Sequence, residues 1–176
     1  DLLRGVGIAT IVSSGNDAGS NVISTPACIS SAISVSATDE NNDVPVYGNQ
    51  ASFLDFFAPG GGLTAPTGFV TSSLLGDTFG DQIGTSMAAP HVPGAWALLR
   101  AVNPTASVDD IFSALNDTGT PIDLRTSGTK PLIQIDQALT KVIGCGRNIS
   151  DFDNIIYGTS GDDIISGTDF DDLIFG

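Results

Sequence analysis

The chain has 176 residues, 41% of them hydrophobic, which is ample for a real core in one full domain or parts of two. Its 20 acidic residues against 6 basic ones give a formal charge of −14, which argues against nucleic acid or an anionic membrane surface as partner and suits a protein that binds cations or lives in salt. No apolar run approaches the roughly 18 residues of a membrane span and no signal peptide is visible, although a sequence starting at Asp1 is expected to be a fragment.

Asp1 to Gly7 reads as the end of a helix closed by Gly5 or Gly7. Ile8-Ala9-Thr10-Ile11-Val12 is short, apolar and β-branched, which predicts a strand buried on both faces of a parallel sheet. It runs into Ser13-Ser14-Gly15-Asn16-Asp17-Ala18-Gly19, a turn-rich loop at the strand edge where open α/β sheets bind ligands. Taken alone, Asn16 is an ordinary turn asparagine. A second strand is predicted over Ala32 to Ala37, where small or apolar residues alternate with serine, followed by a polar surface turn from Asp39 to Pro45. The aromatics between Ala51 and Gly60 read as core. Gly60 to Gly84 is rich in Gly, Ser and Thr and predicts an exposed loop or hairpin, with a short strand at Phe69-Val70-Thr71. Cys28 and Cys145 leave two readings open, a bridge or isolated buried thiols.

The stretch Gly84-Thr85-Ser86-Met87-Ala88-Ala89-Pro90-His91-Val92 carries the most chemistry. Ala88, Ala89, Val92, Ala95, Trp96, Leu99 and Val102 recur at helical spacing, so one side of this segment is predicted to be buried. Ser86 then falls in the first turn of a core helix, where backbone N–H groups are unpaired and the helix dipole is positive. Such a place stabilises a developing alkoxide or oxyanion. A lone helix-start serine is usually only a cap, but the nine-residue run is far more specific. It resembles the serine motif of the subtilisin-like serine proteases (subtilases). It is not the G-x-S-x-G elbow of the α/β-hydrolases, because Ala88 stands where the second glycine would be.

The resemblance implies that Ser86 is the nucleophile of a serine endopeptidase. It implies that Asn16, in a segment like the subtilase A-x-G-N run, donates to the oxyanion together with the Ser86 N–H. Ser13, Ser14 and Gly15 would then form one wall of the primary specificity pocket. Removing an oxyanion donor of this kind costs about a hundred- to a thousandfold in kcat in subtilisin, the reference case for such sites. Ala51 to Gly60 resembles the subtilase strand that closes in A-P-G. Since the family orders its triad Asp, His, Ser, the histidine and aspartate are expected upstream of these residues, and Asp55 is expected to be a hydrogen-bonded structural carboxylate. His91, the chain's one histidine, lies five residues after Ser86 on the same segment and leans back along it, so it reads as structural. Pro93 departs from the family pattern, and inside a helix it would cost roughly 3 kcal/mol.

Ser107 and Asp110 make an S-x-x-D cap before a helix carrying Ile111, Phe112 and Leu115, with Gly119 as its stop. Asp136 is predicted to cap a last short helix with Ala138, Leu139, Val142 and Ile143, ending at Gly144. The subtilase resemblance covers about residues 1 to 144, and 145 to 150 read as a linker. From 151 to 176 the chain follows a nine-residue period, Gly158 to Ser166 and then Gly167 to Phe175, with aspartates and aliphatics in register. This resembles the calcium-binding repeats of RTX proteins. Asp163 and Asp172 are the expected carboxylate ligands, helped by turn carbonyls at Gly158 and Gly161, since hard oxygens suit calcium.

The expected architecture is therefore α/β, a partial subtilisin-like fold with a parallel sheet flanked by helices, followed by the start of a parallel β-roll. The expected activity is that of a secreted, extracellular serine endopeptidase with peptide or protein substrate and calcium as cofactor of the repeats. The fragment alone is expected to be inactive. The competing reading is an inactive subtilase scaffold used for calcium-dependent binding or adhesion, supported only by Pro93.

Overall fold

The computed structural model describes residues 2–63, 70–76, 78–143, 154–157 and 172–175. The chain divides into two compact units, Asp1–Val142 and Ile143–Gly176. In the first, a four-residue helix α1 (Leu2–Gly5) leads to strand β1 (Ile11–Ser13), followed by β2 (Ile33–Thr38) and β3 (Phe56–Pro59). A hairpin β4 (Val70–Leu74) and β5 (Thr78–Gln82) precedes helices α2 (Thr85–Ala88), α3 (His91–Val102) and α4 (Val108–Thr118). Strands β6 (Thr120–Asp123) and β7 (Thr129–Leu132) and helix α5 (Ile135–Ile143) complete it. The main sheet has the order β1-β2-β3-β7-β6, with β1, β2, β3 and β7 parallel and β6 antiparallel to β7.

Alternation sorts the strand residues onto two covered faces. Phe56 meets Phe112 of α4 at 5.0 Å between ring centroids, on the helix-covered face. Phe57, one residue on, joins Ile23, Ala27, Ala51, Leu54, Ile122, Leu124 and Leu132 on the other. Both faces of β2 are covered, and all six of its residues are buried. The capping box at α4 is complete: Ser107 Oγ accepts from the Asp110 N–H, and the Asp110 carboxylate accepts from the Ser107 N–H and hydroxyl. Arg4 of α1 pairs with Asp109 beside it and lies over the Phe112 ring, tying the N-terminal helix to α4.

Four expectations need correction. The first strand starts at Ile11 rather than Ile8 and is only half-buried, because within the described sheet it has a neighbour, β2, on one side only. Asp136 is the second residue of α5, not its cap; as a first-turn carboxylate it still suits the helix dipole. Cys28 is exposed and, among the described residues, free, so the buried-thiol reading fails there; Cys145 lies outside the described residues. The segment after Ser86 is not one helix: α2 stops at Ala88 and α3 begins at His91, while Ala88, Val92, Ala95, Leu99 and Val102 keep to the buried side as expected.

In the second unit, β8 (Asn154–Tyr157) and β9 (Asp172–Phe175) pair in parallel, Asn154 opposite Asp172 through Tyr157 opposite Phe175. Partners are thus separated by two nine-residue periods, with Ile155 opposite Leu173 and Ile156 opposite Ile174.

Candidate active site

The site forms at the C-terminal ends of the parallel strands. β1 ends at Ser13 and the chain turns through Gly15 to Asn16, while β3 ends at Pro59 and is followed by Gly60. The turn before α2 docks on this edge by a backbone bond from Gly84 N–H to Gly60 O of 2.8 Å. Only glycine fits at 60. A Cβ there would stand 2.4 Å from Ala37 Cβ and 2.8 Å from Gly84 O.

Thr85, fully buried as the first residue of α2, joins the two loops. Its N–H and its hydroxyl both donate to Asn16 Oδ1, at 3.0 and 2.9 Å, and its Oγ1 accepts from the Gly15 N–H at 3.2 Å. Because a backbone N–H can only donate, the amide oxygen of Asn16 must face it. That leaves Asn16 Nδ2, beside Gly84 on an exposed side chain, as a donor without an acceptor among the described residues. Ser86, next in α2, is exposed, and its N–H is among the first-turn donors that a helix leaves unpaired. The structure therefore brings Ser86 and Asn16 to one edge through Thr85.

Ser13 is half-buried at the end of β1, and Ser14 is buried with its hydroxyl turned inward onto Asn49 O at 2.9 Å. Ser14 N–H donates to Val35 O, and Ser14 O accepts from Ser24 N–H. The backbone of this stretch offers a fixed surface, with its polar groups held inside the fold.

His91 is tied back: its Nδ1 lies 2.9 Å from Met87 O, one turn earlier. A carbonyl only accepts, so that nitrogen carries the proton and the ring, at the start of α3, is held back against α2. Asp55 Oδ2 accepts from the N–H and hydroxyl of Ser34 at 2.7 and 2.8 Å, and Ser34 Oγ accepts from Asp55 N–H, so this carboxylate links β2 to the approach of β3. Pro93 does not interrupt a helix interior. The break at Ala89–Pro90 makes it the third residue of α3, where a missing N–H costs little, and Val92 N–H already occupies Ala89 O.

Two polar residues that the sequence reading passed over hold the site. Thr85 lies inside the serine motif with no role read for it, and no sequence signal singles out Asn49. Only their burial marks them, at 0% and 1% exposure. Tyr47 Oη lies within hydrogen-bond reach of Gly60 O at 2.9 Å and Gly61 O at 2.6 Å, beneath the turn that leads into α2. Its phenol is pushed up to about 12, mainly by burial; the Gly84 N–H works against this and the Asp39 carboxylate adds to it. Among the described residues no cluster of three or more His, Cys, Asp or Glu side chains fits a metal. Asp163, Gly158 and Gly161 lie outside the described residues, and Asp172 is described only through the backbone of β9. Among the described residues no helix is long and apolar enough to cross a membrane.

Ser86 and Asn16, linked through Thr85, thus sit at the carboxyl edge of the mostly parallel sheet of an α/β fold. The profile described as Subtilase family matches residues 4–145, and the chain belongs to that family. It is 38% identical over 116 residues to Subtilisin BL of Lederbergia lenta, covering 66% of this chain and 40% of that protein. It is 37% identical over 122 residues to the Extracellular serine proteinase of Thermus sp. (strain Rt41A), covering 69% of this chain and 28% of the relative. A solved protease of Pseudoalteromonas arctica PAMC 21717 superposes with a TM-score of 0.69 at 28% identity, over 79% of this chain and 44% of that one. The chain thus spans less than half the length of these relatives.

Proposed function

We propose that this chain is the C-terminal part of the catalytic domain of a secreted serine endopeptidase, with Ser86 as nucleophile. The carrying observation is the Asn16 amide, whose oxygen is fixed by two donors of Thr85 so that Nδ2 is left to donate outward. In this reading Ser86 Oγ attacks a peptide carbonyl, and the tetrahedral oxyanion accepts from Asn16 Nδ2 and the Ser86 N–H. The amine leaves with an acyl-enzyme on Ser86, which water then hydrolyses. Because His91 is bonded to Met87 O, the imidazole base comes from sequence beyond these residues. The wall from Ser13 to Gly15 lines the pocket for the residue before the scissile bond. Secretion is supported by the likeness to the Extracellular serine proteinase of Thermus.

The repeats from 151 to 176 are proposed to take calcium. The parallel pairing of β8 and β9 at two nine-residue periods is the spacing of a β-roll in which alternate repeats stack, and the acidic donors are hard oxygens suited to that ion. The inactive-scaffold reading rested on Pro93, and its place in the first turn of α3 removes that support.

The test is serine-directed fluorophosphonate labelling of the longer protein that carries this chain. Expected are a label on the Ser86 peptide by mass spectrometry and loss of peptide hydrolysis in Ser86→Ala. A label on another residue, or full activity in Ser86→Ala, would overturn the assignment. The isolated 176 residues are expected to stay unlabelled.

A further inference from the structure

We infer that Asn49 is the positioning residue of the Asn16 donor, and that Arg125 braces Asn49 from the β6–β7 turn. The inference rests on Asn16 being the oxyanion donor.

Asn49 hydrogen-bonds the loop on both sides of Asn16. Its Oδ1 accepts from the N–H groups of Asp17 and Gly19 at 3.0 and 2.8 Å. Its Nδ2 reaches Ser14 O at 3.2 Å, Ser24 Oγ at 3.1 Å and Asp17 Oδ2 at 3.3 Å. Its N–H donates to Gly15 O and its carbonyl accepts from Ser14 Oγ. The loop needs holding. Gly15 has φ +102 and Ala18, a non-glycine, has φ 58, conformations that persist only where surrounding bonds over-determine them. Ala18 N–H is taken up by Tyr47 O, on the same segment as Asn49.

Asparagine is the side chain this place requires, since it must accept from two N–H groups and donate to a carbonyl in one plane. Aspartate would keep the acceptor, lose the donor and set a second carboxylate against Asp17.

The segment carrying Asn49 is itself clamped. The Arg125 guanidinium donates to Pro45 O at 2.8 Å, Val46 O at 3.1 Å, Gly48 O at 2.8 Å and Gly19 O at 3.4 Å. The Arg125 N–H donates to Gln50 Oε1 at 2.9 Å, and Gln50 N–H to Gly19 O at 2.8 Å. A hairpin turn more than a hundred residues along the chain thereby sets the frame in which Asn16 is presented. An oxyanion donor gains its value from needing no reorganisation at the moment of reaction, so loosening the frame should lower kcat while leaving KM nearly unchanged.

The experiment is a pair of double-mutant cycles in the longer, active protein, with kcat normalised to active-site-titrated enzyme. Asn49→Ala and the milder Arg125→Lys, which keeps the charge and loses the planar fork, are each combined with Asn16→Ala. Asn49→Ala is expected to lower kcat about tenfold or more and Arg125→Lys about threefold, with KM within about twofold. In the Asn16→Ala background both effects should shrink to within about twofold, because the donor they position is gone. If either loss persists undiminished there, or appears only as lowered thermal stability at unchanged kcat, Asn49 is a structural residue and the inference falls. If Asn16→Ala alone leaves kcat unchanged, the donor reading falls first and takes this one with it. Arg125→Lys carries the same test should Asn49→Ala not fold.

Discussion

Thr85 is where the site is most exposed to a single change. Replacing it by valine keeps the shape and removes the hydroxyl, which bridges Gly15 N–H and Asn16 Oδ1. Two hydrogen bonds worth about 1 kcal/mol each disappear, and the part-buried Gly15 N–H is left without its acceptor at a further cost of about 1 kcal/mol. Thr85→Val should therefore destabilise by about 3 kcal/mol, which for a domain of this size lowers Tm by roughly 6–12 °C. Thr85→Ser keeps the hydroxyl and should stay within about 1 kcal/mol of the parent. Asn16 retains one anchor, the residue-85 N–H, so its orientation loses about 1 kcal/mol of bias and kcat falls no more than about fivefold. Thermal and urea melts of the three versions of the longer protein that carries this chain, with kcat on a peptide substrate, decide it. A valine variant melting within a degree of the parent would refute the bridge.

The remaining expectations follow from single groups. Gly60→Ala would drive a Cβ into Ala37 and the Gly84 carbonyl, neither of which can swing aside, and should cost about 2–3 kcal/mol in a urea melt; a variant as stable as the parent would sink the close-packing argument. The Tyr47 phenol, raised to about 12 from the ordinary 10, should give a tyrosinate absorbance step near that pH that Tyr47→Phe lacks. The folded state holds this proton more tightly, so the contribution to stability is complete below pH 10 and is lost as pH rises from about 10 to about 12. A folded protein whose tyrosines all ionise by pH 10.5 would contradict it. Asp110 titrates below its usual range because the Ser107 hydroxyl and N–H donate to it, so its contribution is present above the ordinary carboxylate pKa and fades as pH falls through the lower folded value. Ser107→Ala, which removes the hydroxyl and keeps the N–H, should weaken this acid-side dependence in pH-scanned melts. Adding calcium to the full chain should increase β-sheet circular dichroism and protect residues beyond 143 from proteolysis, while Asp163→Asn with Asp172→Asn should raise the calcium needed at least tenfold; no response to calcium would refute the ion assignment.

Local chemistry was readable where one segment suffices. The S-x-x-D signature named both members of the α4 capping box, and the run of small and apolar residues at 32–37 named β2 to within a residue. The β6–β7 hairpin escaped because Pro121 and Pro131 each argue against a strand. The structure sets them opposite one another, and two residues without N–H groups lose no ladder bond where the pair is of the non-hydrogen-bonded kind. The break between α2 and α3 escaped for a related reason: the apolar period runs through it unaltered, so pattern alone predicts one helix and finds Pro93 misplaced.

What sets the precision of the site lies beyond any window of sequence. Asn16 and Asn49 carry the same side chain, one exposed and one at 1% exposure, and nothing in their neighbours separates a donor from the residue that holds it. The distinction is made by partners 30 to 106 residues away, through Asn49 to Gly19 and Arg125 to Gly19. Buried polar side chains are tolerated only when their bonds are satisfied, so each such bond between distant segments is also a constraint on where the segments lie. Thr85, Asn49 and Arg125 thus convert the stability of the sheet and hairpin into the fixed direction of one amide group, and the serine motif by itself does not reveal that conversion.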